Sequence, residues 1–190
     1  MYDTHQKQIA DYAKTGPDAT ARIIKFVLIS IRRRFDCVAP IMRDEVQIGL
    51  MDTTKEGIAY AEEHKIRLHA AIHDKYTSLL DKLLVVREVP GLGLPKAGFV
   101  LQLATDNPII ACQDSHNLKR FELKASVFST SGQSAAVIRR KAQTYIELCE
   151  KLGGSRELWD SWCVLIADKY PKLFKNAEDV SAEHVAGLIF

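Results

Sequence analysis

The chain has 190 residues, with 26 Lys+Arg against 24 Asp+Glu, a formal net charge of +2, and 47% hydrophobic residues. That composition excludes a wholly disordered chain, and a domain of this length buries roughly 70% of its unfolded surface without help from disulfides. Near-balance of charge also excludes a protein that coats polyanions by bulk charge, so any positive surface must be local.

Met1 to Asp18 is charged and polar where an export signal would need an apolar run, so the expectation is a cytoplasmic, unsecreted protein. Asp18 can cap a helix reaching Arg34, with Ile23, Phe26, Val27, Ser30 and Ile31 at helical spacing. Its apolar run, Ile23 to Ile31, contains Lys25 and closes on Arg32, Arg33 and Arg34, too short and too charged for a membrane span. Pro40 ends this element, and a short helix comes after it. A long helix is expected from Lys55 to Val86, marked by Ile58, Ala61, Ile66, Leu68, Ile72 and Leu79 and open to an internal break. Another starts near Pro95. Beyond it, Ser126 to Ser134 reads as a polar loop leading into a helix from Ser134 to Leu152, which Gly153-Gly154 stops. Ser155 or Arg156 opens the next, which Pro171 interrupts, and Ser181 with His184, Val185 and Leu188 suggests a terminal helix. No stretch alternates, so the fold class is all-α.

Charge is unevenly placed. Residues 89–145 hold 7 basic and 3 acidic side chains, whereas residues 146–190 hold 5 and 8. Within the positive part, Lys119, Arg120 and Lys124 form one group and Arg139, Arg140 and Lys141 another, either a solvated face or a phosphate-facing one. The four cysteines, Cys37, Cys112, Cys149 and Cys163, form no CxxC pair and read as reduced thiols.

The chemistry-bearing stretch is Val89 to Phe121. Val89-Pro90-Gly91-Leu92-Gly93 makes a tight turn between helices, and Pro95 sits in the first turn of the next helix, where a missing N–H is tolerated. The bland interpretation is a two-glycine connection. The functional one is a cradle of uncovered backbone N–H groups at a helix start, which binds phosphate without net charge. Twenty-one residues after Gly93 comes Asp114, within Cys112-Gln113-Asp114-Ser115-His116-Asn117. Taken alone, Asp114 can cap the helix Ser115 to Phe121.

Turn, helix and aspartate together resemble the helix-hairpin-helix DNA glycosylase superfamily, the endonuclease III-like group, over about 33 residues. In that family an LPGVG-type hairpin opens a helix, and an aspartate comes after a short apolar stretch in a pattern such as VDTH. The resemblance implies a two-lobed helical glycosylase-like fold in one unit spanning residues 1–190. One lobe would be residues 18–124, carrying the hairpin 89–98, and the other residues 1–17 plus 125–190. It implies a monomer acting on double-stranded DNA with a damaged or modified base, which is flipped out of the stack. Asp114 would be the catalytic carboxylate, able to activate a nucleophile or stabilise positive charge on the sugar as the N-glycosidic bond breaks. Pro90, Gly91, Leu92, Gly93 and Lys96 would contact the DNA backbone, with Lys119 and Arg120 beside them. Gln102, His116 and Asn117 would line the base pocket or orient Asp114, or serve as internal hydrogen-bonding groups.

Departures from the family pattern matter too. Strand-nicking members carry a lysine two residues after the second hairpin glycine, where this chain has Pro95. Lys96 comes one residue later, about 100° around a helix. Lys96 is therefore either a catalytic Schiff-base lysine, if the hairpin holds one extra residue, or a phosphate-facing cation. The family's four-cysteine cluster is missing, so no iron–sulfur cluster, other cofactor or metal is expected. His64, His69 and His73 lie on one helix, but no HExxH pattern accompanies them. Trp159 and Trp162 share a helix face and are expected to anchor the second lobe. Two other outcomes stay open: a glycosylase-fold enzyme that alters a flipped base, similar to the phage thymine-hypermodification enzymes, and a helix-hairpin-helix DNA-binding protein without catalysis.

Overall fold

A computed structural model describes residues 2–30, 38–43, 49–113, 115–124, 126–169, 171, 187 and 189. Asp114, Arg32 to Arg34, Cys37, and the Ser181, His184, Val185 and Leu188 of the expected terminal helix lie outside them. The described residues are all-helical, with no strand among them. The helices are α1 (Tyr2–Lys14), α2 (Pro17–Ser30), α3 (Val38–Met42), α4 (Asp52–Glu63), α5 (Lys65–His73), α6 (Leu79–Arg87), α7 (Leu94–Ala104), α8 (Ser115–Arg120), α9 (Ala135–Lys151) and α10 (Gly154–Lys169).

Helix α2 is the centre. Ile23, Ile24, Phe26, Val27, Leu28 and Ile29 are all buried, so its apolar residues occupy every side instead of one stripe. It packs against α1, α3, α4, α5 and α7. Pro17 is its first residue, which places Asp18 inside the first turn and not at the cap. Pro40 lies within α3, so that helix starts before the proline and not after it.

Helix α1 had no counterpart in the sequence expectations. Its inward stripe is narrow, Ile9, Ala10 and Ala13, all fully buried. Small residues hide such a stripe in a segment of polar composition. It lies against α2 and α7, whereas the family resemblance groups residues 1–17 with the C-terminal elements.

The stretch expected as one helix from Lys55 to Val86 is three. His64 (φ −105°, ψ 15°) separates α4 from α5. Between α5 and α6 the Asp74 carboxylate accepts the Tyr76 N–H at 3.1 Å and the Thr77 hydroxyl at 2.6 Å. Ser78 then caps α6 by accepting the Asp81 N–H at 3.1 Å. Asp, Thr and Ser offer the backbone alternatives to the helical ladder, which is why the helix ends there.

Between α6 and α7 the Leu92 N–H donates to the Val89 carbonyl at 3.0 Å. Pro90 and Gly91 occupy the turn's centre, and Gly91 takes φ +82°, as a type II turn requires. Helix α4 supports this turn from below. Its Gly57 faces the Pro90 carbonyl and Leu28 so closely that a Cβ there would overlap the carbonyl oxygen.

Alanine normally gains about 1 kcal/mol over glycine inside a helix. Here Gly57→Ala should instead destabilise by about 1–3 kcal/mol through overpacking, while Gly93→Ala, whose Cβ meets only Pro95 at 3.8 Å, should be nearly neutral. Urea unfolding of the two variants measures the contrast.

Helix α5 docks on α2 through a polar contact. The buried Thr20 hydroxyl lies 2.9 Å from His69 Nδ1 and 3.4 Å from His73 Nε2, with the imidazole rings 4.6 Å apart. Desolvation first, then the neighbouring His69, Lys82 and Lys14, pushes His73 down from 6.5 to about 4. A lowered folded value means that the unfolded chain takes up the proton first as pH falls. His73 therefore costs no stability above pH 6.5 and lowers it progressively between pH 6.5 and 4. Urea midpoints at pH 7 and pH 5 should fall further apart in the parent than in His73→Gln.

Candidate functional site

The candidate site is built around α7 and the chain that comes after it. Asn107 ends the turn after α7 by accepting the N–H groups of Ile109 (2.9 Å) and Ile110 (3.1 Å) on its side-chain oxygen. The chain then runs back, without helix or strand, along the Gly98–Gln102 side of α7. Ile110, Ala111 and Gln113 are fully buried there. Buried backbone polar groups outside a ladder must find other partners, and here side chains supply most of them.

Gln102 supplies the first. Expected to line a base pocket, to orient Asp114 or to bond internally, it is 2% exposed, and both ends of its amide are engaged. Nε2 donates to the Ser155 carbonyl at 3.1 Å and Oε1 accepts the Cys112 N–H at 3.0 Å. Its backbone carbonyl also accepts the Gln6 side chain from α1. Of the roles expected for Gln102, the structure shows the internal one: the amide holds two chain segments together.

Tyr145 on α9 supplies the next pair. Its hydroxyl donates to the Ala111 carbonyl and accepts the Gln113 N–H at 2.9 Å. Asn117 closes the set, donating from Nδ2 to the Cys112 carbonyl at 2.9 Å and reaching the Leu158 carbonyl at 3.5 Å. Asn117 thus serves as an internal hydrogen-bonding group, one of its expected roles. His116 lies in α8, but its side chain, like the whole of Asp114, falls outside the described residues.

Two close approaches let this arrangement form. A Cβ on Gly98 would stand 2.6 Å from the Tyr145 hydroxyl and 2.9 Å from the Ala111 carbonyl. Gly154, at φ +76°, brings α10 against Pro108, whose carbonyl accepts the Ser155 N–H at 2.8 Å. Gln113 and Tyr145 were not among the sequence candidates. A tyrosine on the inward face of α9, between Ala142 and Cys149, was the signal to read, since a buried hydroxyl requires a partner.

The turn is only in part the expected cradle. The Leu92 N–H is used within the turn and its side chain is buried, so Leu92 anchors the hairpin and offers no donor. The N–H groups of Gly91 and Gly93 have no partner among the described residues; Gly91 is exposed and Gly93 half-exposed. Pro90 is half-buried, its carbonyl turned toward α4.

Lys96 stands two residues before Gly98, so it leaves α7 about 160° away from the face that carries Ala111 to Gln113. Its ammonium lies 5.5 Å from the centroid of the Phe99 ring. Phe99 is in turn 6.3 Å from Trp159, which is buried, and Trp159 is 5.4 Å from the half-buried Trp162. The tryptophans thus join α10 to α7.

Several basic residues are taken up internally. Arg139 pairs with Asp81 at 3.0 Å, Lys141 donates to the Ser129 carbonyl at 2.6 Å, and Arg87 reaches Thr130 at 3.2 Å. Lys119, Arg120, Lys124 and Arg140 are exposed, Arg120 lying 5.8 Å from the Phe121 ring centroid. Burial pushes the Cys149 thiol up to about 11 and the Cys163 thiol up to about 12, so neither is a thiolate nucleophile near neutral pH. No group of three or more metal-ligating side chains occurs among the described residues.

Comparison with family models, curated proteins and solved structures finds no match to this chain. Gln102→Leu keeps the side-chain volume but removes the hydrogen bonds to the Cys112 N–H and the Ser155 carbonyl. A cost of about 1–3 kcal/mol is expected, measurable as a lowered denaturation midpoint.

Proposed function

We propose that this protein is a divergent helix-hairpin-helix DNA glycosylase-like enzyme. The turn between α6 and α7 grips one phosphate of double-stranded DNA, a damaged or modified base is flipped out, and the Asp114 carboxylate assists cleavage of its N-glycosidic bond. In this proposal α2 to α8 form the lobe carrying the hairpin, and α9 and α10 belong to the second, with α1 packed on the first. The observation that carries it is the hairpin itself: a turn, exposed at Gly91 and partly exposed at Gly93, whose two backbone N–H groups are uncommitted among the described residues at the start of α7.

Three further features support it. The Ile109 to Gln113 segment is fixed by side chains from three helices immediately before Asp114. Lys119 and Arg120 are exposed on the next helix, α8, where backbone contacts would add a salt-dependent contribution. The phase of Lys96 favours a cation role beside the hairpin over a Schiff base with a sugar held at Asp114.

Duplexes carrying uracil, oxidised pyrimidines, 8-oxoguanine, alkylated bases or hydroxymethyluracil, incubated with the protein and surveyed by mass spectrometry, test the proposal. Free base, lost in Asp114→Asn and unaffected in Lys96→Ala, is the expected result. An altered base with its glycosidic bond intact would replace hydrolysis by base modification, and full activity in Asp114→Asn would remove the carboxylate from the mechanism. Gly93→Val fits the open space at that position yet covers the cradle, so it should weaken duplex affinity about fivefold or more without loss of fold. Unchanged affinity would overturn the hairpin assignment.

A further inference from the structure

The geometry points to Tyr145 as a positioning residue that fixes the backbone from Ala111 to Gln113, the residue before Asp114 in the sequence. One hydroxyl serves both polar directions of the same segment, donating to the Ala111 carbonyl and accepting the Gln113 N–H at 2.9 Å. Among the described residues it is the sole group reaching this segment from α9 through an oxygen; the Cys149 thiol adds only weak contacts, at 3.7 Å to the Ala111 carbonyl and to the Gln113 amide.

Two observations set Tyr145 apart from ordinary core filling. First, the molecule is built to admit its hydroxyl: Gly98 leaves open the space that a Cβ would close, and Phe128 packs edge-on against the phenol ring at 4.9 Å, fixing the ring's orientation. Second, the segment it holds is a connection that could have crossed the surface, where water satisfies backbone groups. Instead it is buried, and Gln102, Asn117 and Tyr145 each give a side chain to it. Desolvating three polar side chains to fix five residues makes sense if the residue after Gln113 needs a defined position.

That residue is Asp114, so the inference rests on the proposed role of its carboxylate. A phenylalanine at 145 keeps the ring and the packing and removes only the hydroxyl. The segment would stay buried but lose the restraint next to residue 114.

Hydrogen–deuterium exchange by mass spectrometry on Tyr145→Phe tests this, with Ile72→Val as a control that loosens the core at α5. In Tyr145→Phe, exchange in peptides covering residues 109–117 should quicken about tenfold while α2 and α5 peptides keep their rates. Unchanged exchange at 109–117, or a uniform rise matching that of Ile72→Val, overturns the inference. On the substrate identified in the product survey, kcat should fall about tenfold with KM within about twofold, because the restraint acts on the carboxylate and not on duplex binding. If exchange rises locally while Asp114→Asn keeps full turnover, the restraint stands and the role of Asp114 fails. If Asp114→Asn is inactive and Tyr145→Phe retains full kcat, the positioning role fails and the carboxylate stands.

Discussion

The buried segment from Ile109 to Gln113 is the constraint on which the surrounding structure depends. A chain with no regular structure, placed between helices, carries N–H and C=O groups that water cannot reach, and each one left unpaired costs about 1–3 kcal/mol. The molecule meets that cost with side chains at fixed positions on α7, α8 and α9. Those positions then limit how the helices can sit. Gln102 must face Cys112 and Ser155, Tyr145 must reach past Gly98, and Ser155 must approach Pro108, so α7, α9 and α10 are locked together around one strip of backbone.

The hairpin is held by a different means. Its turn is stabilised from within by one hydrogen bond and from below by close packing, where Gly57 of α4 and Leu28 of α2 meet Pro90 and Gly91. Leu92 plugs the turn into the core. An exposed ion pair of Arg67 with Glu88 at 2.7 Å adds little by itself but ties α5 to the end of α6 beside the turn. Because backbone groups would do the phosphate binding, a net charge of +2 is no obstacle to a nucleic-acid partner.

Helical phase decides which neighbours Lys96 meets. One residue of offset turns a side chain by about 100°, so Lys96 and a lysine one position earlier would face different neighbours. Lys96 lies over Phe99 and beside the aromatic contacts that join α7 to α10, away from the strip that leads to Asp114.

Much of the helical framework was legible in the residues themselves. Capping and stop signals placed α7, α9 and α10 close to their observed bounds, because Ser134, Pro95 and Gly153-Gly154 act within a few residues of where they stand. Local competition was harder to read: the Asp74 to Ser78 turn, built from the same short-range hydrogen bonds, was hidden inside an apolar pattern that continued on either side. Helix α1 was missed because its buried stripe consists largely of small residues. The amino-acid sequence by itself determined that the chain is helical, where its tight Pro-Gly turn lies, and that positive charge gathers after it. Only the tertiary structure decided which polar residues are spent on the protein's own backbone. Gln102 could equally have faced a ligand, and Tyr145 could have been one more core aromatic. Hydrogen-bond partners 10, 32 and 53 residues away settle those roles, and no local pattern encodes a partner at such separations.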